Sequence, residues 1–188
     1  MYHIPDDIRA QHSAELLYSG LMECLRHAEM TEITVTAVVR SAGCGRSTFY
    51  RLFDVPSDIA QWKCDQIIRQ ALQKAGGGKD FDEDMLLFVS SWMEHAEMIG
   101  ALHRSSLGEM IYKAQIDHIK ELQELFLKEA TLSEQQQVHL SYILASLIYA
   151  VFQIWRTDMG QSSRELLEKI KDAVWELDIM FNHRRRLE

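Results

Sequence analysis

The chain is poor in proline and cysteine, and it lacks the excess of positive charge that would let a whole molecule coat nucleic acid. Its 2 prolines leave long stretches free of the strongest helix breaker, while Leu, Ala, Glu, Gln, Ile and Met, all good helix formers, are abundant. The 3 cysteines, Cys24, Cys44 and Cys64, are too few and too scattered for a disulfide framework, and no Cys or His pair has zinc-ligand spacing. They read as reduced, mostly buried thiols, and neither a metal nor a cofactor is expected. No uninterrupted apolar run reaches the ~18 residues that span a bilayer, so no membrane association is expected. The first residues, MYHIPDDIR, lack the basic start and apolar core of a secretory signal, and the expected location is the cytoplasm. Lys and Arg number 20 against 28 Asp and Glu, a net charge of -8, which still permits a local basic surface. A Gly-rich phosphate loop, an HExxH pair and a nucleophile elbow are all missing. Glu94 and Glu97 look like solvent-facing neighbours of an apolar stripe, so no enzyme is expected.

What is present is a pattern of 3.6-residue periodicity over 188 residues, 47% of them hydrophobic and 26% charged, the balance of a soluble all-α protein. Ala14, Leu17, Leu21, Cys24 and Leu25 mark a first helix over 13–28. Thr34 is a plausible N-cap for a short second helix whose inward residues are Val35, Val38, Val39 and Ala42. Gly43 ends that helix, and a third runs over 46–53. Pro56 and Asp58 then open a fourth. Three glycines, Gly76 to Gly78, mark the clearest boundary. This divides the chain into a helix-turn-helix domain (1–55), a connecting helix (56–74) and a larger C-terminal helical domain (75–188). The latter is expected to hold helices over 81–102, 107–130, 133–159 and 163–183, with capping boxes at Ser133/Gln136 and Ser162/Glu165.

The stretch SAGCGRSTFYRLF carries the functional information. Gly43 lets the chain reverse, half-apolar Cys44 plugs the angle, and Gly45 serves as the N-cap of the next helix. On that helix Phe49, Leu52 and Phe53 form the inward face. The opposite face presents Ser47, Tyr50 and Arg51, with Arg46 and Thr48 at its edges. Arginine pairs with guanine edges or phosphate, and hydroxyls hold phosphate oxygens. Between Ile33 and Phe53 the charged residues are Arg40, Arg46 and Arg51, with no acid among them.

The run ITVTAVVRSAGCGRSTFYRLF, after a leading amphipathic helix, resembles the DNA-binding domain of the TetR family of transcriptional regulators. The likeness is detailed over 13–72 and beyond that is one of architecture. It implies a homodimer that binds a palindromic operator on double-stranded DNA, acts as a repressor, and is released by a small molecule held in the C-terminal domain. It also implies that Thr34, Arg46, Ser47, Thr48, Tyr50 and Arg51 contact DNA, and that Phe49 and Phe53 pack the core. The chain departs from the family pattern at Gly45, usually Ser or Thr, and at Pro56, usually a phosphate-binding Lys. Glu23, Glu29 and Glu32 also make the region before the turn acidic. An alternative reading is a TetR-like protein without DNA binding of its own, acting through another regulator.

The segment HLSYILASLIYAVFQIW is apolar nearly all round, and the last helix shows a similar excess. Such helices need cover on every side. Ile143, Leu147, Val151, Ile154, Leu166, Ile170, Val174 and Leu177 are therefore the expected dimer interface, with Phe181 continuing that stripe. Residues with a polar tip or aromatic ring on otherwise apolar helices are the candidates for an effector pocket: Trp92, His95, Met98, Ile99, His103, Tyr112, His118, Tyr149 and Phe152. A pocket of that composition suits an apolar or aromatic small molecule.

Overall fold

The structure, a computed structural model, describes residues 1–127, 132–158 and 160–185. The expected helix ends at 130 and 159 lie outside the described residues, as does the side chain of Phe181. Ten α-helices are found among the described residues: α1 (Ile8–Leu25), α2 (Val35–Ser41), α3 (Arg46–Leu52), α4 (Pro56–Ala75), α5 (Phe81–Met93), α6 (Ala96–Arg104), α7 (Glu109–Asp117), α8 (Ile119–Phe126), α9 (Glu134–Trp155) and α10 (Ser163–Arg185). The fold is all-α. The single extended pairing among these residues is an isolated bridge between Tyr2 and Phe53.

Several helix boundaries follow from local chemistry. Asp7 starts α1 five residues earlier than the apolar stripe suggests, accepting from the amides of Arg9 (2.8 Å) and Ala10 (2.9 Å). Thr34 caps α2 through the amide of Ala37 at 3.2 Å. Asp58 accepts from the amides of Asp54 and Val55, both at 3.0 Å, so the acid in the first turn of α4 closes its own N-terminus. The two capping boxes are formed at Ser133/Gln136 and Ser162/Glu165. The helices expected over 81–102 and 107–130 are each broken. Backbone at His95 (φ -110°, ψ 33°) parts α5 from α6, and backbone at His118 (φ -112°, ψ 29°) parts α7 from α8.

The chain forms two compact units, one of Met1–Gln70 with Glu94–Ile119, the other of Ala71–Met93 with Lys120–Glu188. In unit 1, α1 buries Ala10, Ala14, Leu17, Leu21 and Leu25 against α2 and α3, each large side chain contributing about 1.5–3 kcal/mol. Gly20 lies at the α1–α2 crossing, where a Cβ would stand 2.7 Å from the backbone of Val38 and Ala42. Phe49, Phe53 and Trp62 make a buried aromatic series with ring separations of 6.0 and 6.1 Å. Lys63 of α4 reaches both carboxylate oxygens of Glu15 (2.8 and 2.9 Å) with its ammonium over the Tyr18 ring. Helix α6 joins this unit through Arg26, whose guanidinium lies 2.8 Å from Glu97, and through the buried amide of Met30, which donates to Ser105 Oγ at 3.1 Å. In unit 2, Phe81, Phe88 and Phe126 stack edge to face, Trp92 packs on Phe152, and Ser90 bonds Ser163 at 2.8 Å.

Of the cysteines, Cys64 is fully buried and its thiol is pushed well up by burial. Cys24 and Cys44 are only half-buried, less than the sequence suggested. Among the described residues α9 is long and apolar enough by length and composition to cross a membrane, which a search for unbroken apolar runs misses because Gln, Ser and His interrupt it. About 39% of its most apolar stretch is buried within the protein.

Candidate functional site

Gly43 takes φ +64°, the left-handed conformation that ends α2 without a Cβ penalty, and the Cys44 amide closes the turn on Val39 O at 2.9 Å. Gly45 caps α3 in an extended conformation and offers no side-chain acceptor, which leaves the first N–H groups of α3 to solvent or an anion. Phe49, Leu52 and Phe53 are completely buried behind the helix. On the outer side Arg46, Ser47, Tyr50 and Arg51 are exposed, Tyr50 by 58%, and Thr48 is half-buried at the edge. Arg46 donates to the hydroxyl of Thr36, a neutral partner that leaves the guanidinium charge uncancelled. Thr34 is exposed at the start of α2. All six residues expected at DNA thus lie on the α2 cap or on α3. One neighbour was not anticipated. The segment Met1–His3 lies against the end of α3, with the His3 amide donating to Leu52 O at 2.8 Å. Its amino group sits 3.0 Å from Asp54 and 2.8 Å from Asp58, and His3 Nε2 is 3.2 Å from Asp54. These contacts, the amino group first and His3 next, hold the Asp54 carboxyl below its ordinary range. Two acids that follow α3 are thereby offset.

Unit 2 contains a cavity of about 350 Å³ between α5, α9 and α10. Phe81, Met85 and Val89 line it from α5, Leu144, Leu147, Ile148 and Val151 from α9, and Leu167, Ile170, Lys171, Val174 and Trp175 from α10. None of the nine residues expected to form a pocket is among them. Trp92 and Phe152 pack together one helical turn or less from Val89 and Val151, with Tyr149 half-buried on the same helix. His95, Met98, Ile99, His103, Tyr112 and His118 belong instead to α6, α7 and their flanks in unit 1, where Met98 and Ile99 are core residues.

The solved structures that match most of the chain include the following two. One is a TetR transcriptional regulator from Streptococcus agalactiae 2603V, with TM-score 0.59 and 19% identity over 87% of this chain and 94% of that one. The other is the fatty acid degradation regulator FadR from Bacillus halodurans, with TM-score 0.61 and 13% identity over 84% and 92%. The fold is that of TetR-type regulators. No protein-family model matches the sequence, and no curated protein matches it.

Within this TetR-type fold the eight residues expected at a dimer interface divide. Leu147, Val151, Ile170 and Val174 line the cavity, and Leu166 is fully buried in unit 2. Ile143 (61% exposed), Ile154 and Leu177 remain on the surface together with Tyr142, while Val174 and Trp175 line the cavity and are exposed as well. The sequence could not separate the two groups, because α9 and α10 are apolar on both the cavity side and the outer side.

Proposed function

We propose that the protein is a DNA-binding transcriptional regulator that occupies a palindromic operator as a homodimer, represses, and is released by an apolar or aromatic small molecule. The observation that carries DNA binding is the outer face of α3. Arg46, Ser47, Tyr50 and Arg51 stand exposed on one short helix held rigidly by Phe49 and Phe53, in a stretch of chain with no acid. Arg46 and Arg51 supply guanidinium groups for guanine edges or phosphate, while Ser47, Thr48, Tyr50 and Thr34 hold phosphate oxygens. The exposed apolar residues of α9 and α10 support pairing of two copies, which sets two recognition helices about 34–36 Å apart. An effector that binds two such spacings with unequal affinity shifts the protein between them. We assign the effector to the cavity of unit 2.

The test is a titration of purified protein into labelled duplex from the DNA upstream of its own gene, at two salt concentrations. Arg46→Ala is expected to cost about 1–3 kcal/mol of binding, and Tyr50→Phe less. Weak binding that ignores Arg46→Ala and yields to competitor DNA would overturn the reading. A monomer mass by light scattering at micromolar protein would remove the dimer. Pro56 favours a second reading, a protein of this fold that acts through another regulator. It stands at the first position of α4 with no N–H and no cation for a phosphate, and Asp54 and Asp58 flank it. Operator binding by the protein alone separates the two.

A further inference from the structure

Arg46 and Arg51 are the two arginines of α3, and their surroundings differ. The guanidinium of Arg46 donates to the hydroxyl of Thr36, an exposed residue of α2, across the turn at Gly43–Gly45. Arg51 is exposed too, and among the described residues it makes no side-chain hydrogen bond or ion pair. The Thr36 hydroxyl is available because of where it stands. Ser13, Ser19, Ser91, Ser141 and Ser146 each donate to the carbonyl four residues back along their own helix, a common use of a hydroxyl there. Thr36 is the second residue of α2, so the residue four back, Glu32, lies outside the helix. Thr34 already caps α2, which leaves the Thr36 hydroxyl to Arg46. Arg46 is the first residue of α3, and a helical side chain leans toward its helix start, which here is the side of α2.

Bracing matters more for one kind of contact than for the other. A phosphate attracts a cation from many directions, whereas guanine O6 and N7 need the planar fork of an arginine in a single plane. A loose arginine must freeze several rotatable bonds to present that fork, and a braced one has fewer left to freeze. The first residues of the reading helix are also those that meet base edges in a helix-turn-helix. Thr36 takes up one of the five N–H groups of Arg46 and leaves enough for both guanine acceptors. Being neutral, it orients the guanidinium without cancelling its charge. We infer, given the DNA-binding function proposed above, that Thr36 is a positioning residue that holds Arg46 for bidentate reading of a guanine, while the unbraced Arg51 serves a phosphate.

The full chain is used to select duplexes from a random-sequence DNA library, and the best-bound duplex is the probe. Each guanine of a half-site is replaced in turn by 7-deazaguanine, which lacks the N7 acceptor and keeps the pairing and the phosphates. At one guanine the replacement is expected to weaken the wild type by about tenfold and Arg46→Lys by less than about threefold. Thr36→Val keeps the shape of an exposed side chain, so its urea unfolding should match the wild type. It should bind the probe about tenfold more weakly and lose most of the 7-deazaguanine effect, and Thr36→Ser should restore both. The dependence of binding on salt should stay the same in Thr36→Val and fall by about one unit of slope in Arg51→Ala. A Thr36→Val loss that persists undiminished in an Arg46→Ala background would mean that Thr36 touches DNA itself, and overturns the inference. A loss that leaves the 7-deazaguanine effect intact overturns it as well. An enriched duplex that Thr36→Val binds as the wild type does overturns the inference alone. A library from which nothing is enriched overturns the DNA-binding reading, and the inference with it.

Discussion

Phe53→Ala is expected to destabilise the protein by about 3–5 kcal/mol, the range for truncating a buried aromatic residue. Phe53 is completely buried and has three tasks. Its amide ends α3 by donating to Phe49 O at 2.8 Å, and its ring joins Phe49 on one side and Trp62 of α4 on the other. Its extended backbone also pairs with Tyr2. Losing the ring opens a cavity where α3 meets α4, so DNA affinity should fall as well, without any change to the outer face. Phe53→Leu, which keeps most of the volume, should cost less than about 1.5 kcal/mol. Urea unfolding with an unchanged slope measures both. A loss below about 1 kcal/mol for alanine would mean that α3 is held from elsewhere.

Gly20→Ala is expected to cost about 1–3 kcal/mol, although alanine is the better helix former by about 1 kcal/mol. The sign is decided by space. The new methyl would stand 2.7 Å from Val38 O and Ala42 N and 2.8 Å from Ala42 Cβ. Two of those atoms are backbone, so no side chain can rotate away and the helices must part. Ala42 is the C-cap of α2 and precedes the Gly43 turn, so the displacement is passed to α3. A stabilised variant would show slack in the α1–α2 crossing.

The helix-turn-helix geometry was legible because its chemistry is local. Gly43 at φ +64°, Gly45 as an N-cap without a side chain, and Phe49, Leu52 and Phe53 on one face each follow from residue type and spacing. The breaks at His95 and His118 carry no such signal, since neither glycine nor proline stands there and packing decides the backbone. The cavity of unit 2 was not legible for a related reason. Polar tips on apolar helices mark α6 and α7, but which helices enclose a space depends on long-range pairing, and here that space falls to residues that read as interface. Asp7 was readable as an N-cap, yet the apolar stripe outweighed it.

The hydrogen bond from Met30 to Ser105 spans 75 residues of chain. It has a consequence for synthesis. At ribosomal rates of about 5–20 residues per second, the donor leaves the exit tunnel roughly 4–15 seconds before its acceptor. Once α3 has emerged, the helix-turn-helix is out for the rest of that interval without Ser105 or the Glu97 partner of Arg26. A nascent chain cut after α4 therefore lacks part of the body its first helices belong to.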